Sequence, residues 1–212
     1  PRDAQHAALL RKAERMELRL NDLGYAVSTG PLEWNRHKHQ LVDSPGEDHL
    51  PLVWAESVQA DGKFRFAHAK RNHAPYFHLF PGQDHLVTRT PCVLVQRTTA
   101  KEQRRRIVAA QLPNTFVQTH GGVVIENHLN VVQPLGTSPK LTLSALAVLL
   151  NSSAIDALFR CISGSVAVSA YEIRSLPLPS VKELLALQDL MASRATKNRI
   201  DQYISFLYGM AA

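Results

Sequence analysis

The hydrophobic spacing changes period twice along this chain, and that double change limits the folds open to it. Leu9, Leu10, Ala13, Met16, Leu20 and Leu23 recur at intervals of three and four. That spacing predicts a helix over 3–23, with Asn21-Asp22 and Gly24 as its stop. The middle of the chain abandons the helical period for short apolar runs punctuated by Gly, Pro, Asn and Asp. Strands are expected at 51–58, 63–68 and 92–98, with Asp61-Gly62 as a hairpin signal. Helical spacing returns over 142–162, with a kink expected near Asn151-Ser152-Ser153 and Gly164 closing the unit. It returns again from Ser180, which forms a capping-box pattern with Glu183. Helix, many short strands, then helices is an α+β order: a mostly antiparallel β-sheet core with an N-terminal helix and C-terminal helices.

The intervening segments are expected to be simpler. Tyr25 to Ser28 is extended, Thr29-Gly30-Pro31 is a turn, and Leu32, Trp34 and Arg36 alternate with polar residues as a strand or extended loop. A polar loop at 43–49 and an irregular excursion at 69–90 follow. Ile107 to Leu112 resumes the apolar pattern. Val123–Ile125 and Leu129–Val132 read as strands flanking a polar turn, and 165–176 as short extended or turn structure.

With 212 residues, 45% of them apolar, the chain fits one large domain or one domain with a helical appendage. The boundaries read as a linker helix at 1–24, a main domain at 25–180 and a C-terminal helical segment at 181–212. Pro1, not Met, opens the sequence, which reads as a fragment. Cys92 and Cys161 lie far apart without CxxC or zinc spacing, as expected of reduced, half-buried thiols. The longest apolar run, Leu141 to Leu150, is broken by Thr142 and Ser144, short of the roughly 18 residues of a membrane span. The start carries Arg2, Asp3 and Arg11 where a signal peptide would be apolar. A cytoplasmic bacterial or archaeal protein with no membrane partner is expected.

Motifs for catalysis are missing. There is no GxxxxGK[ST], no GxSxG, and Gly121-Gly122 stands alone before a strand. His37-x-His39 lacks a Cys or carboxylate partner, so no metal site is assigned and loop histidines are the better reading. Pro75-Tyr76 matches only the end of an Asn/Asp-Pro-Pro-Tyr/Phe loop, its polar residue displaced, and is read as a decoy. No catalytic residue is assigned.

The constructive signal is basic. The chain has 24 Lys and Arg against 18 Asp and Glu, a net charge of +6. That favours polyanions through counterion release but does not by itself identify one. Trp34-Asn35-Arg36-His37-Lys38 joins an aromatic to an amide and cations, and Arg and Asn match guanine and adenine edges. Arg97-Thr98-Thr99-Ala100-Lys101-Glu102-Gln103-Arg104-Arg105-Arg106 holds five cations in ten residues, suited to a phosphate backbone. The competing reading is a solvated face paired through Glu102. Glu126-Asn127-His128-Leu129-Asn130 reads as a polar turn between strands.

Several of these stretches carry a resemblance. Val27 to Arg36 is similar to the "STG…R" segment of PstI/BsuBI- and Eco57I-type N6-adenine DNA methyltransferases of restriction–modification systems. Leu94 to Ala110 resembles their "VL-x-R-x-x-x-KE-x-RR-x-x-A" segment, Glu126 to Asn130 their "ENHLN" block, and Leu149 to Arg160 their "LNS-x-x-x-D-x-x-FR". Ser163 to Pro179 is similar to their Leu/Pro-rich closing stretch, departing from the PstI/BsuBI pattern at Ser165 to Ser169. The blocks stand in the family's order over residues 25–180.

The resemblance implies the C-terminal target-recognition part of a fused enzyme. An upstream catalytic domain would bind S-adenosylmethionine, leaving no cofactor and no activity in this chain alone. Its partners would be double-stranded DNA, that upstream methyltransferase domain and a cognate endonuclease. Under this reading Asn35, Arg36 and Lys38 meet base edges or nearby backbone, and Arg97, Thr98, Lys101, Arg104, Arg105 and Arg106 include phosphate contacts. Alternation aims Arg104 and Arg106 one way and Arg105 the other. Thr29 and Gly30 shape a turn, and Glu126, Asn127 and His128 either fix the reading surface or touch DNA. The rival readings are a specificity subunit of a multi-subunit restriction–modification enzyme, a complete methyltransferase, and a domain that binds no DNA.

Overall fold

The computed structural model of the protein describes residues 4–98, 105–163 and 167–210. Along the chain run α1 (Ala4–Glu14), β1 (Tyr25–Thr29), β2 (Leu41–Val42), β3 (His49–Val53), β4 (Tyr76–His78), β5 (Val87–Thr88), β6 (Cys92–Gln96) and β7 (Ala109–Leu112). They are followed by α2 (Asn114–His120), β8 (Val123–Ile125), β9 (Leu129–Pro134), α3 (Leu143–Leu150), α4 (Ser153–Ile162), α5 (Ala170–Arg174), α6 (Val181–Ala192) and α7 (Lys197–Leu207). The class is α+β, as the order of periodicities predicts. One sheet is antiparallel, ordered β1-β9-β6-β7. The other, β2-β4-β3-β8-β5, is mixed, because β3 and β8 run parallel.

Period-two alternation explains how the layers stack. Tyr25, Val27, Val93, Val95, Ala109 and Val132 turn one face of the antiparallel sheet toward the helices, into a core shared with Leu146, Leu150, Ile155 and Phe159. Cys92, Leu94, Ala110, Leu112, Leu129 and Val131 turn the other face against Val53, Val123 and Ile125 of the mixed sheet. Leu32, Leu52, Trp54, Phe77, Leu86 and Val124 fill the far side of the mixed sheet. Each fully buried side chain of this kind contributes about 1.5–3 kcal/mol. Helices α1, α6 and α7 pack into the helical layer through Leu9, Ala13, Leu184, Leu187, Ile204 and Leu207.

Several local expectations are corrected by long-range partners. The first helix stops at Glu14, because Leu18 leaves the helix to pair with Leu178 (Leu178 N to Leu18 O, 2.9 Å). The chain then resumes as a 3-10 turn, Leu20–Leu23, closed by Gly24 at φ +85°, and Leu20 and Leu23 still reach the core predicted for them. The 51–58 strand starts earlier and ends at Val53, with Ala55–Ser57 a 3-10 turn. The Asp61-Gly62 hairpin is reduced to one bridge, Val58 with Phe64. Residues 34–40 form two 3-10 turns, not a strand.

The kink near Asn151 is a clean break. Ser152 caps α4 through Ile155 N, and α3 and α4 meet at 58°. No single helix among the described residues is long and apolar enough to cross a membrane. Helices α2 and α5 stand where no helix was expected, whereas the capping box of Ser180 and Glu183 opens α6 as read. Gly164 lies outside the described residues.

Candidate nucleic-acid interface

The turn 126–128 joins the two sheets, since β8 belongs to the mixed sheet and β9 to the antiparallel one. Glu126 is 1% exposed. Its carboxylate accepts a hydrogen bond from His128 N at 2.8 Å and lies 2.7 Å from His128 Nδ1. Its backbone N donates to Val53 O at 3.1 Å, and Asn127 N donates to Leu32 O at 3.0 Å. A buried carboxylate is tolerable only when so satisfied.

Three further segments close on this turn. Gly30 N donates to Leu129 O at 2.8 Å, and a Cβ on Gly30 would stand 2.3 Å from Glu126 O. Glycine is needed there for the close passage of two backbones. Gly30 is not among the positive-φ glycines, so glycine is required there for space and not for a left-handed backbone. Thr29 itself pairs with Asn130 across β1 and β9. Arg97 N donates to His128 O at 2.8 Å, and its guanidinium donates to Asn127 O at 3.1 Å. Thr98 bridges to Ala167, Arg97 O accepts from Val168 N at 2.7 Å, and Asn130 Nδ2 donates to Val168 O at 2.7 Å. The structure thus brings Thr29, Gly30, Arg97, Thr98, Glu126, Asn127 and His128 into one joint, where Thr98 and His128 are exposed.

A second group lies beside it. Leu32 pairs with Glu126, and the chain leaves Leu32 directly into the turn Trp34–Arg36. Asn35, Arg36 and Lys38 are exposed. Arg36 Nε lies 2.8 Å from Glu33, and Lys38 Nζ sits 5.5 Å above the Trp34 ring, a cation–π distance. Trp34 meets Trp54 edge-on at 6.0 Å, and Trp54 stacks on His73 at 3.7 Å, 9° from parallel. Glu56 holds His73 Nδ1 at 2.6 Å. Beneath the exposed turns, buried Gln40 donates to His78 O and Gln83 Oε1, both at 2.7 Å, and lies 2.9 Å from His37 Nδ1. His39 rests against Phe80, so His37 and His39 serve different packing contacts. No group of three or more His, Cys, Asp or Glu suited to a metal occurs among the described residues.

The third group was expected to be the Arg run. Lys101 and Arg104 lie outside the described residues. The Arg105 guanidinium donates to the carbonyl of Asn151, at the edge of a cleft of about 760 Å³ that Lys63, Gln111 and Lys197 also line. Asp156 accepts from Arg106 N at 2.5 Å and Ile107 N at 3.3 Å while pairing with Arg160 at 2.8 Å. The Asp156–Arg160 pair was legible from its spacing of four. The hold of Asp156 on the incoming strand was not.

Sequence reasoning also missed Gln96, whose amide donates to Ala55 O at 3.1 Å and Val58 O at 2.8 Å. Gln96 ties β6, one residue before Arg97, to the turn that carries Glu56. A polar residue ending an apolar strand was the available signal.

The two stretches closest to cofactor or target-base motifs are ordinary fold elements. Gly121 closes α2 at φ +68°, and Gly122 leads into β8, where a Cβ would strike Val87 at 2.6 Å. That geometry is the end of a helix, not a glycine loop opening one. Pro75 and Tyr76 are likewise tied to the sheet: Pro75, just before β4, accepts from Leu52 N at 2.9 Å through its carbonyl O, and Tyr76 pairs with Pro51.

No family model matches the chain. It is 31% identical over 187 residues to the type II methyltransferase M.BsuBI of Bacillus subtilis, covering 84% of this chain and 36% of that protein. It is 30% identical over 182 residues to the type II methyltransferase M.PstI of Providencia stuartii, covering 85% and 36%. The chain is a methyltransferase-related region and spans about a third of the length of these relatives.

Proposed function

We propose that this chain is the double-stranded DNA recognition module of a type II restriction–modification adenine-N6 methyltransferase. Residues 25–180 form the recognition unit, and α1, α6 and α7 on either side of it in sequence pack into its helical layer. A catalytic domain upstream in the same protein supplies S-adenosylmethionine and the chemistry, and a cognate endonuclease reads the same site. One observation carries this reading: a rigid polar joint between two sheets, locked by buried Glu126, presents Arg97, Thr98 and His128 beside the exposed Asn35, Arg36 and Lys38.

The joint supplies preorganisation. Backbone hydrogen bonds at Gly30, Asn127 and Arg97 fix the relative position of the exposed groups before DNA arrives, which lowers the entropy cost of binding. Asn35 and Arg36 sit on turns whose side chains have the donor and acceptor patterns of base-edge readers. Lys101, Arg104, Arg105 and Arg106 contribute phosphate contacts, which set register and carry no sequence information. With the duplex held, the target adenine is turned out of the helix into the catalytic domain.

The test is fluorescence anisotropy of this chain with a short duplex as salt rises from about 50 to 200 mM. Affinity falling steeply with salt supports the reading. Absence of binding, or binding indifferent to salt, contradicts it.

A further inference from the structure

Between Ser57 and His73 the chain makes a strap whose cations the Arg-run reading did not include. Lys63, Arg65, His68, Lys70 and Arg71 are exposed. Phe64 and Phe66 alternate with the first of them and turn inward, their rings 5.1 and 5.4 Å from that of Phe116 on α2. The backbone is pinned as well. Arg65 N donates to Ser57 O at 2.9 Å, Ala67 N to Ser57 Oγ at 3.2 Å and Ala69 N to Glu56 Oε1 at 3.1 Å. At its far end His73 is clamped between Glu56 and the Trp54 ring.

The charges on this fixed strap are unequally spent. Arg65 pairs with Asp61 at 3.3 Å. Lys63, Lys70 and Arg71 form no ion pair among the described residues. By contrast Arg36, Arg89 and Arg160 each have a carboxylate, and Arg97 has a backbone carbonyl. Three exposed cations without a carboxylate partner on an anchored backbone leave net positive charge on this strap, which favours a polyanion. The strap is continuous with the groups already described. His73 leads through Trp54 to Trp34 and Lys38, and Lys63 lines the same cleft as Arg105.

We propose that this strap is a second phosphate-gripping limb, with Lys63, Lys70 and Arg71 contacting the backbone of duplex DNA and Phe64 and Phe66 as its anchors. The inference rests on the DNA-recognition reading above and assigns the strap the part of affinity that is independent of sequence. Each lost phosphate contact reduces the salt slope of log K by about 0.9.

The experiment compares the 212-residue chain with its Lys63→Gln/Lys70→Gln/Arg71→Gln variant by duplex binding across a salt series. The expected slope is shallower by about 2.7, so the loss of affinity between about 50 and 200 mM shrinks by about 40-fold. A control variant, Arg11→Gln/Lys12→Gln/Arg15→Gln, removes equal charge from α1 and the turn that follows it, on the helical side of the antiparallel sheet, and is expected to keep the parent slope. The altered side chains are exposed in both variants, so melting temperatures should match the parent. A steep parent slope left unchanged by the strap variant overturns the limb and leaves the DNA reading standing. Equal flattening by both variants reduces the effect to net charge and also overturns it. A parent that binds no duplex, or binds without salt dependence, removes both proposals.

Discussion

Replacing Gly30 with Ala tests whether the joint between the sheets is as tight as its geometry requires. The added methyl would lie 2.3 Å from Glu126 O, 2.9 Å from Glu126 C and 2.9 Å from Ile125 O. Ordinary carbon contacts need about 3.5 Å, so the two backbones must separate by about 1 Å. All three obstacles are main-chain atoms of a turn already tied to β3 and β9, and none can rotate aside. Overpacking of this kind costs about 1–3 kcal/mol. The separation also stretches Gly30 N to Leu129 O (2.8 Å) and Leu32 N to Ile125 O (3.1 Å), each worth about 1 kcal/mol. With partial relaxation the total is about 2–4 kcal/mol. Urea denaturation followed by circular dichroism should then show a midpoint lower by about 1 M or more, and thermal melting a drop of about 5–15 °C. A destabilisation below about 0.5 kcal/mol would refute the close-packed joint and, with it, the preorganisation assigned to Glu126 and Arg97.

Other outcomes follow from the same geometry. Arg36→Ala should relax sequence preference more than it lowers overall affinity, since a bidentate base contact is worth about 1–3 kcal/mol of discrimination; an unchanged preference in a selected-pool assay would remove Arg36 from the reading set. Burial pushes the Cys92 thiol up to about 12, so it should resist alkylation near about pH 8 in the folded protein and react once unfolded, as mass spectrometry can read. At Glu172 burial pushes the carboxyl up, but hydrogen bonds from Ser163 Oγ, Ser169 N and Ser169 Oγ outweigh it and hold the group below its usual value. A folded-state value below the unfolded one stabilises above the unfolded pKa of about 4.3 and is lost as acid carries pH through the folded value. Glu172→Gln should therefore flatten the acid limb of melting temperature against pH, and an acid limb as steep as the parent's would contradict the assignment.

What could be read from the sequence was set by how local its cause is. Leu94 and Val95 alternate because a strand between two layers must fill both, and that pattern is visible in the residues themselves. Ser180 and Glu183 satisfy each other across one helical turn, so their capping box was equally plain. Ser169 and Glu172 make the same box at α5, but the helix they open is a single short turn with one buried residue, Ile173, too brief to show a period. Helix α2 escaped for the same reason, burying only Val117.

The candidate interface divides along the same line. The polar block at 126–130 and the cations at 35–38 are contiguous in sequence and stand out there as candidates. The stack of Trp54 on His73, the tie from Gln96 to Ala55 and Val58, and the passage of Gly30 over Glu126 depend on residues 19 to 96 positions apart. Such contacts exist only once the sheets have formed. The strap is a case in point: its Lys-Phe-Arg-Phe alternation predicts a strand over 63–68, yet only Phe64 forms a bridge, and nothing local shows that Phe64 and Phe66 rest on Phe116.

Selection from a randomised duplex pool tests the central claim most directly. The chain is incubated with the pool at low and at moderate salt, and the retained DNA is sequenced. A recognition module should enrich one short motif at both salts, more sharply at moderate salt, where phosphate-only binding is weakened. A retained pool with the composition of the input would contradict the assignment of sequence reading to this chain.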